Sequence, residues 1–83
     1  MEIKILGPGC RNCEKLFQDA KQAAKDAGVT ANIDKITDMA EIMKRGILST
    51  PGLMINGKLR SMGRLPSIKE IREWIEESLK EDN

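Results

Sequence analysis

Eighty-three residues, 33 % charged and 40 % hydrophobic, suit one small folded domain spanning 1–83 that buries a little over about 60 % of its unfolded surface. A formal charge of +1, with Lys and Arg scattered among Asp and Glu, leaves no nucleic-acid footprint, and Phe17 and Trp74, the only aromatics, make no base-stacking platform. The absence of His removes Ser-His and Cys-His nucleophile pairs and imidazole ligands, and no apolar run nears membrane-spanning length, so a cytoplasmic chain without membrane contact is expected.

The first predicted strand covers residues 2 to 6, with Ile3 and Ile5 on one face. Glu2 and Lys4 stand on the other, where their stems are expected to snorkel at the end of the sheet. A Gly7-Pro8-Gly9 turn leads into Cys10-Arg11-Asn12-Cys13 and a helix from Arg11 to Ala27, stopped by Gly28. Its core stripe is Cys13, Leu16, Phe17, Ala20, Ala24 and Ala27. Val29, Ala31 and Ile33 alternate with polar neighbours and predict a strand over 29–36, although Lys35 interrupts the pattern. Asp38 and Glu41 have the spacing of a capping box opening a short helix that ends at Gly46, with Met39, Ile42 and Met43 facing inward. After Ser49-Thr50-Pro51-Gly52, Leu53-Met54-Ile55 and Lys58 to Met62 flank Asn56-Gly57, a strong hairpin signal. Gly63 follows, free to adopt φ > 0. Ser67 and Glu70 form a second capping box, opening a helix with Ile68, Ile71, Trp74, Ile75 and Leu79 on one face and Trp74 as a core anchor. The order β-α-β-α-β-β-α predicts an α/β fold with a four-stranded mixed sheet and helices on both faces.

Both cysteines of the chain sit where a strand hands over to a helix. A sulfur at the first turn of a helix faces unpaired N–H groups and the positive end of the helix dipole, which favour thiolate over thiol. A second sulfur three residues on shares that helical face, so the pair can cycle between dithiol and disulfide with little backbone movement. A purely structural crosslink would gain little from so short a loop, about 2 kcal/mol in the loop-closure model against about 3 for a 15-residue loop. The alternative chemistry is soft-metal binding, Cu(I) or Zn, by the two thiolates. One chain supplies only two sulfurs, so a zinc site would take two copies.

Through Gly7-x-Gly9-Cys10-x-Asn12-Cys13, Thr50-Pro51-Gly52-Leu53, Asn56-Gly57 and Met62-Gly63-Arg64, the whole chain resembles the thioredoxin superfamily, in particular its small glutaredoxin-sized redox-active disulfide proteins. The resemblance implies a minimal thioredoxin fold and a monomeric thiol-disulfide oxidoreductase that reduces client protein disulfides. Cys10 would be the catalytic nucleophile and Cys13 the resolving thiol, with no cofactor beyond their disulfide. Pro51 would be cis, and Thr50, Pro51 and Gly63 would form the substrate-binding edge. Arg11, a cation beside Cys10, would lower its pKa further. An unidentified reductase or low-molecular-weight thiol would recycle the pair. Gly9 stands where larger thioredoxins carry Trp, and Met62-Gly63-Arg64-Leu65 lacks the glycine pair and acidic residue that hold glutathione in glutaredoxins.

Overall fold

A computed structural model of the chain describes residues 1–81. Seven elements follow in the order β1 (Glu2–Leu6), α1 (Arg11–Asp26), β2 (Asn32–Ile36), α2 (Met39–Lys44), β3 (Gly52–Ile55), β4 (Lys58–Met62) and α3 (Ile68–Glu81). The strands form one mixed sheet in the order β2-β1-β3-β4. β1 runs parallel to β2 and antiparallel to β3, which pairs antiparallel with β4. This is the minimal thioredoxin fold.

The pleat of β1 divides the interior in two. Ile3 and Ile5 project to the side where α1 and α3 lie together, and they pack with Leu16, Ala20, Leu53, Ile55, Ile71 and Ile75. The alanines of α1 keep that helix close to its neighbours, with Ala20 and Ala23 fully buried. Leu6 projects to the opposite side, where Ile42 of α2 and Ile47 close a smaller cluster flanked by Ile36 and Met54. Each isoleucine so buried contributes roughly 1.5–3 kcal/mol. Because α2 has only six residues, it covers the Leu6 end of this face alone. Glu2 is therefore exposed and Lys4 half-buried.

Local chemistry sets the boundaries. The Val29 amide donates to the Ala24 carbonyl and the Gly28 amide to Lys25, a closure made available by φ +70° at Gly28. Asn56 (φ 50°) and Gly57 (φ 81°) make the tight hairpin turn. At the start of α3 the capping box is reciprocal: the Glu70 amide donates to Ser67 Oγ and the Ser67 amide to Glu70 Oε1, both at 3.1 Å.

Several expectations are corrected. β2 begins at Asn32, not 29, because the first rung of its ladder pairs Asn32 with Glu2, and residues 29–31 serve as the connection. Of the three apolar residues of α2 only Ile42 is buried; Met39 and Met43 are 49 % and 64 % exposed, since a helix of under two turns brings only one of them over Leu6 and Ile47. Asp38 caps α2 by accepting from the Ala40 amide at 2.9 Å, while Glu41 reaches toward Arg45 at 3.9 Å. In α3, Ser78 is buried and Leu79 exposed, because Ser78 continues the buried Ile71–Ile75 stripe at i+7, where its Oγ accepts from Arg60 of β4 at 3.1 Å. Trp74 is only half-buried, its ring 5.8 Å from the Arg64 guanidinium.

Candidate functional site

The C-terminal end of β1 carries the turn that holds both sulfurs. Gly9 has φ +94°, a conformation that favours glycine, and it delivers Cys10 to the N-cap of α1 in extended geometry. The Glu14 amide donates to the Cys10 carbonyl at 3.0 Å, which begins the helix, and the Cys13 amide donates to Cys10 Sγ at 3.2 Å. A helix-terminal N–H thus points at the first sulfur, the arrangement that stabilises negative charge there. Cys10 and Cys13 form a disulfide with their Cα atoms 5.0 Å apart. The two halves differ in access: Cys10 is exposed, and Cys13 is only 6 % exposed.

Sheet register gathers the other loops around this pair. Leu6 lies opposite Gly52, so the chain leaving β1 runs beside the chain about to enter β3. Gly7 is packed so tightly on Cys13 that a Cβ there would overlap Sγ, and the Thr50 Cβ lies 3.6 Å from the same point. The Thr50–Pro51 peptide is cis, with Pro51 buried and Thr50 half-buried. Gly52 in turn lies opposite Met62, which brings Gly63 alongside: its amide donates to the Pro51 carbonyl at 3.0 Å, its φ of +77° favours glycine, and a Cβ there would crowd the Ser49 Cβ at 2.9 Å. The structure therefore places Cys10, Cys13, Thr50, Pro51 and Gly63 at one end of the sheet. Arg11 occupies the exposed outer side of the first helical turn.

Sequence reasoning missed the surroundings of the buried sulfur. A small cavity of about 40 Å³ lies behind Cys13, lined by Ile5, Gly7, Gly9, Glu14, Lys35 and Thr37. Glu14 of α1 and Lys35 of β2 form an ion pair at its wall, and the Lys35 ammonium also lies 4.5 Å from the Phe17 ring centroid. The one signal available was Lys35 interrupting an apolar alternation. Gly7, by contrast, showed only as part of a turn and of the Gly7-x-Gly9-Cys10 motif, with no sign of its contact on Cys13. A larger open cleft of about 510 Å³ runs between α1 and the approach to β2, past Lys21, Lys25, Val29 and Ile33, and does not include either cysteine.

Beside Gly63, Arg64 grips Glu70 with two nitrogens at 3.2 and 2.8 Å. That bidentate contact, helped by the Ser67 amide, pulls the Glu70 carboxyl down to about 2. Among the described residues no group of three or more Cys, Asp or Glu side chains is placed to hold a metal ion, and no helix is long and apolar enough to cross a membrane.

The thioredoxin-domain family profile matches residues 1–76. A thioredoxin of Methanothermobacter thermautotrophicus is 41 % identical over 75 residues, spanning 90 % of this chain and 97 % of that protein. A thioredoxin of Methanocaldococcus jannaschii is 34 % identical over 77 residues, spanning 93 % of this chain and 88 % of that protein. A probable thioredoxin of Archaeoglobus fulgidus is 35 % identical over 74 residues, spanning 86 % and 80 %. With an N-capping cysteine joined to a buried one at the end of a β2-β1-β3-β4 sheet, and with this likeness along nearly its whole length, the chain belongs to the thioredoxin family.

Proposed function

We propose that this thioredoxin-family thiol-disulfide oxidoreductase reduces protein disulfides by an ordered attack-and-resolve exchange between Cys10 and Cys13. The observation that carries this reading is the asymmetry of the pair: Cys10 is exposed with a backbone N–H on its sulfur, and Cys13 is buried one helical turn away. In the reduced protein the Cys10 thiolate attacks one sulfur of a client disulfide, forming a mixed disulfide and expelling the other client sulfur as thiolate. The Cys13 thiolate then attacks Cys10 Sγ, the bond between Cys10 and the client breaks, and the client leaves fully reduced. Two electrons pass from the dithiol to the client, and the Cys10–Cys13 disulfide remains.

The Cys13 amide and the open end of α1 stabilise the attacking thiolate, and Arg11 adds a positive charge beside it. Thr50, Pro51 and Gly63 form the edge along which a client segment lies extended, Thr50 offering its backbone and Gly63 leaving room. A reductase or a low-molecular-weight thiol returns the disulfide to dithiol in the cytoplasm, the protein acting as a monomer. Soft-metal binding is the weaker reading, since heavy-metal domains with this motif run β-α-β-β-α-β and here α2 separates β2 from β3.

Trapping tests the order of attack. Cys13→Ser keeps the attacking thiolate and is expected to accumulate a covalent mixed disulfide with a model protein substrate, whereas Cys10→Ser is expected to accumulate almost none. Equal mass shifts for the two variants under non-reducing conditions would refute the assignment.

A further inference from the structure

The client edge leans on a sulfur that the exchange reaction does not use. Ile47 and Pro51 are buried, but Leu48 and Ser49 between them stand out from the core, Leu48 at 84 % exposure. Facing this stretch, Met62 ends β4, opposite Gly52 and one residue before Gly63, whose amide holds the Pro51 carbonyl. The Leu48 amide donates to Met62 Sδ at 3.4 Å, so the sulfur tethers the stretch that delivers Thr50 and Pro51 to the disulfide. A thioether is a weak acceptor, and a small chemical change at the sulfur resets such a tether. Met62 is also 41 % exposed, so a solute as small as hydrogen peroxide reaches it. Met39 and Met43 are more exposed still, but they belong to α2, whereas Met62 borders Gly63.

We infer that Met62 is a modification site, oxidised to its sulfoxide by hydrogen peroxide, and that the added oxygen weakens the docking of protein clients. The inference rests on the reading of Thr50, Pro51 and Gly63 as the client edge. A lone pair of Met62 Sδ forms the new S–O bond as the O–O bond of the peroxide breaks. The departing oxygen takes the electron pair, receives the proton of the transferred oxygen and leaves as water. The methionine gives up two electrons and the peroxide gains them. The side chain changes from apolar to polar, and its oxygen accepts hydrogen bonds more strongly than the sulfur did. An oxygen set between Sδ and the Leu48 amide forces the two apart, and one turned away presents its polarity to the client. In both cases the apolar surface and the tether beside Gly63 are altered while the Cys10–Cys13 pair on α1 keeps its geometry.

The test uses the full-length protein in its disulfide form, in which both cysteine sulfurs are already bonded to each other. It is treated with hydrogen peroxide, cleared of the oxidant and assayed by insulin reduction with dithiothreitol as electron donor. Trypsin releases Ser61-Met62-Gly63-Arg64, so mass spectrometry reads Met62 apart from the other methionines. As this peptide gains one oxygen, KM for insulin is expected to rise roughly fivefold, the weight of one lost polar contact, with kcat nearly unchanged. Attack by the reduced protein on a small aryl disulfide, which does not span the edge, should keep its rate. Methionine sulfoxide reductases acting on both sulfoxide epimers should restore KM. Met62→Leu, which keeps the apolar bulk and has no sulfur, should lose the peroxide response, and the double variant Met39→Leu, Met43→Leu should keep it. A response that persists in Met62→Leu, an unchanged KM once the 61–64 peptide is oxidised, or an equal effect on the aryl disulfide would overturn the inference. Untreated protein that does not reduce insulin would instead overturn the client-reduction reading, and this inference with it.

Discussion

Substituting Gly7 by Ala probes the contact on which the site is built. The Gly7 backbone is not in the left-handed region, so alanine meets no conformational penalty there and the effect is steric. The added Cβ would overlap Cys13 Sγ, with Cys13 Cβ at 3.4 Å and Thr50 Cβ at 3.6 Å also in contact. The sulfur is tied to Cys10 on one side and to the buried start of α1 on the other, so it cannot swing away as a flexible side chain would. Overpacking a fixed site by one methyl costs about 1–3 kcal/mol. In a domain of this size each kcal/mol lowers Tm by about 4–8 °C, so the oxidised Gly7→Ala protein should melt roughly 5–20 °C lower and unfold at lower urea. A double-mutant cycle isolates the cause. With Cys13→Ala the sulfur is gone and only ordinary van der Waals contacts remain, so Gly7→Ala should cost less than about 0.5 kcal/mol there. An equal loss of stability in both backgrounds, read from urea midpoints with unchanged slopes, would refute the steric argument.

Alkylation rate against pH in the reduced protein should show Cys10 titrating below about 8.5, since a helix-terminal N–H faces its sulfur, and Cys13 at or above that value because it is buried. Glu70 is held at about 2 by Arg64, below an unfolded value of about 4.3, so it contributes stability that is present above pH 4.3 and lost as pH falls toward 2. The urea midpoints of wild type and Glu70→Gln should therefore differ at pH 7 and converge near pH 2, and a constant offset would remove the Arg64 contact from the account. Ile75→Ala, at a fully buried position in the core cluster with Ile3, Ile5 and Leu16, should cost about 2–5 kcal/mol by urea unfolding, whereas Leu79→Ala should cost under about 1 because that side chain is 42 % exposed.

Local signals carried most of the fold. The alanine-rich stripe of α1, the left-handed pair Asn56-Gly57 and the Ser67–Glu70 box each act over a few residues, so their spacing in the sequence is their spacing in space. The misreadings arise where a distant partner decides. Periodicity gives α2 three apolar residues but does not say which one meets Leu6 and Ile47 on the far face of the sheet. Nor does it reveal that Arg60, eighteen positions away, offers a hydrogen-bond partner to a buried Ser78 while Leu79 stands at the surface. Over 29–36 the apolar alternation outruns the ladder, which starts only where β1 offers a partner.

The site divides along the same line. Cys10 and Cys13 were legible because three residues on a helix always share a face. Thr50, Pro51 and Gly63 were legible only through resemblance, since their place beside the sulfurs depends on two registers, Leu6 opposite Gly52 and Gly52 opposite Met62. Those rungs hold three turns distant in sequence at the same sheet end. Moving either strand pairing by one residue would flip its side chains to the other face and carry Pro51 or Gly63 away from the disulfide. The Asn56-Gly57 turn and the one-residue register shift between Leu53 and Met54 together set one of these registers, and the other is fixed by Ile3 and Ile5 pairing with Ile55 and Leu53 toward the main core. The packing that stabilises the sheet thus also sets how the cysteines meet a client, which is why the substrate edge is written in core isoleucines and a turn far from any sulfur.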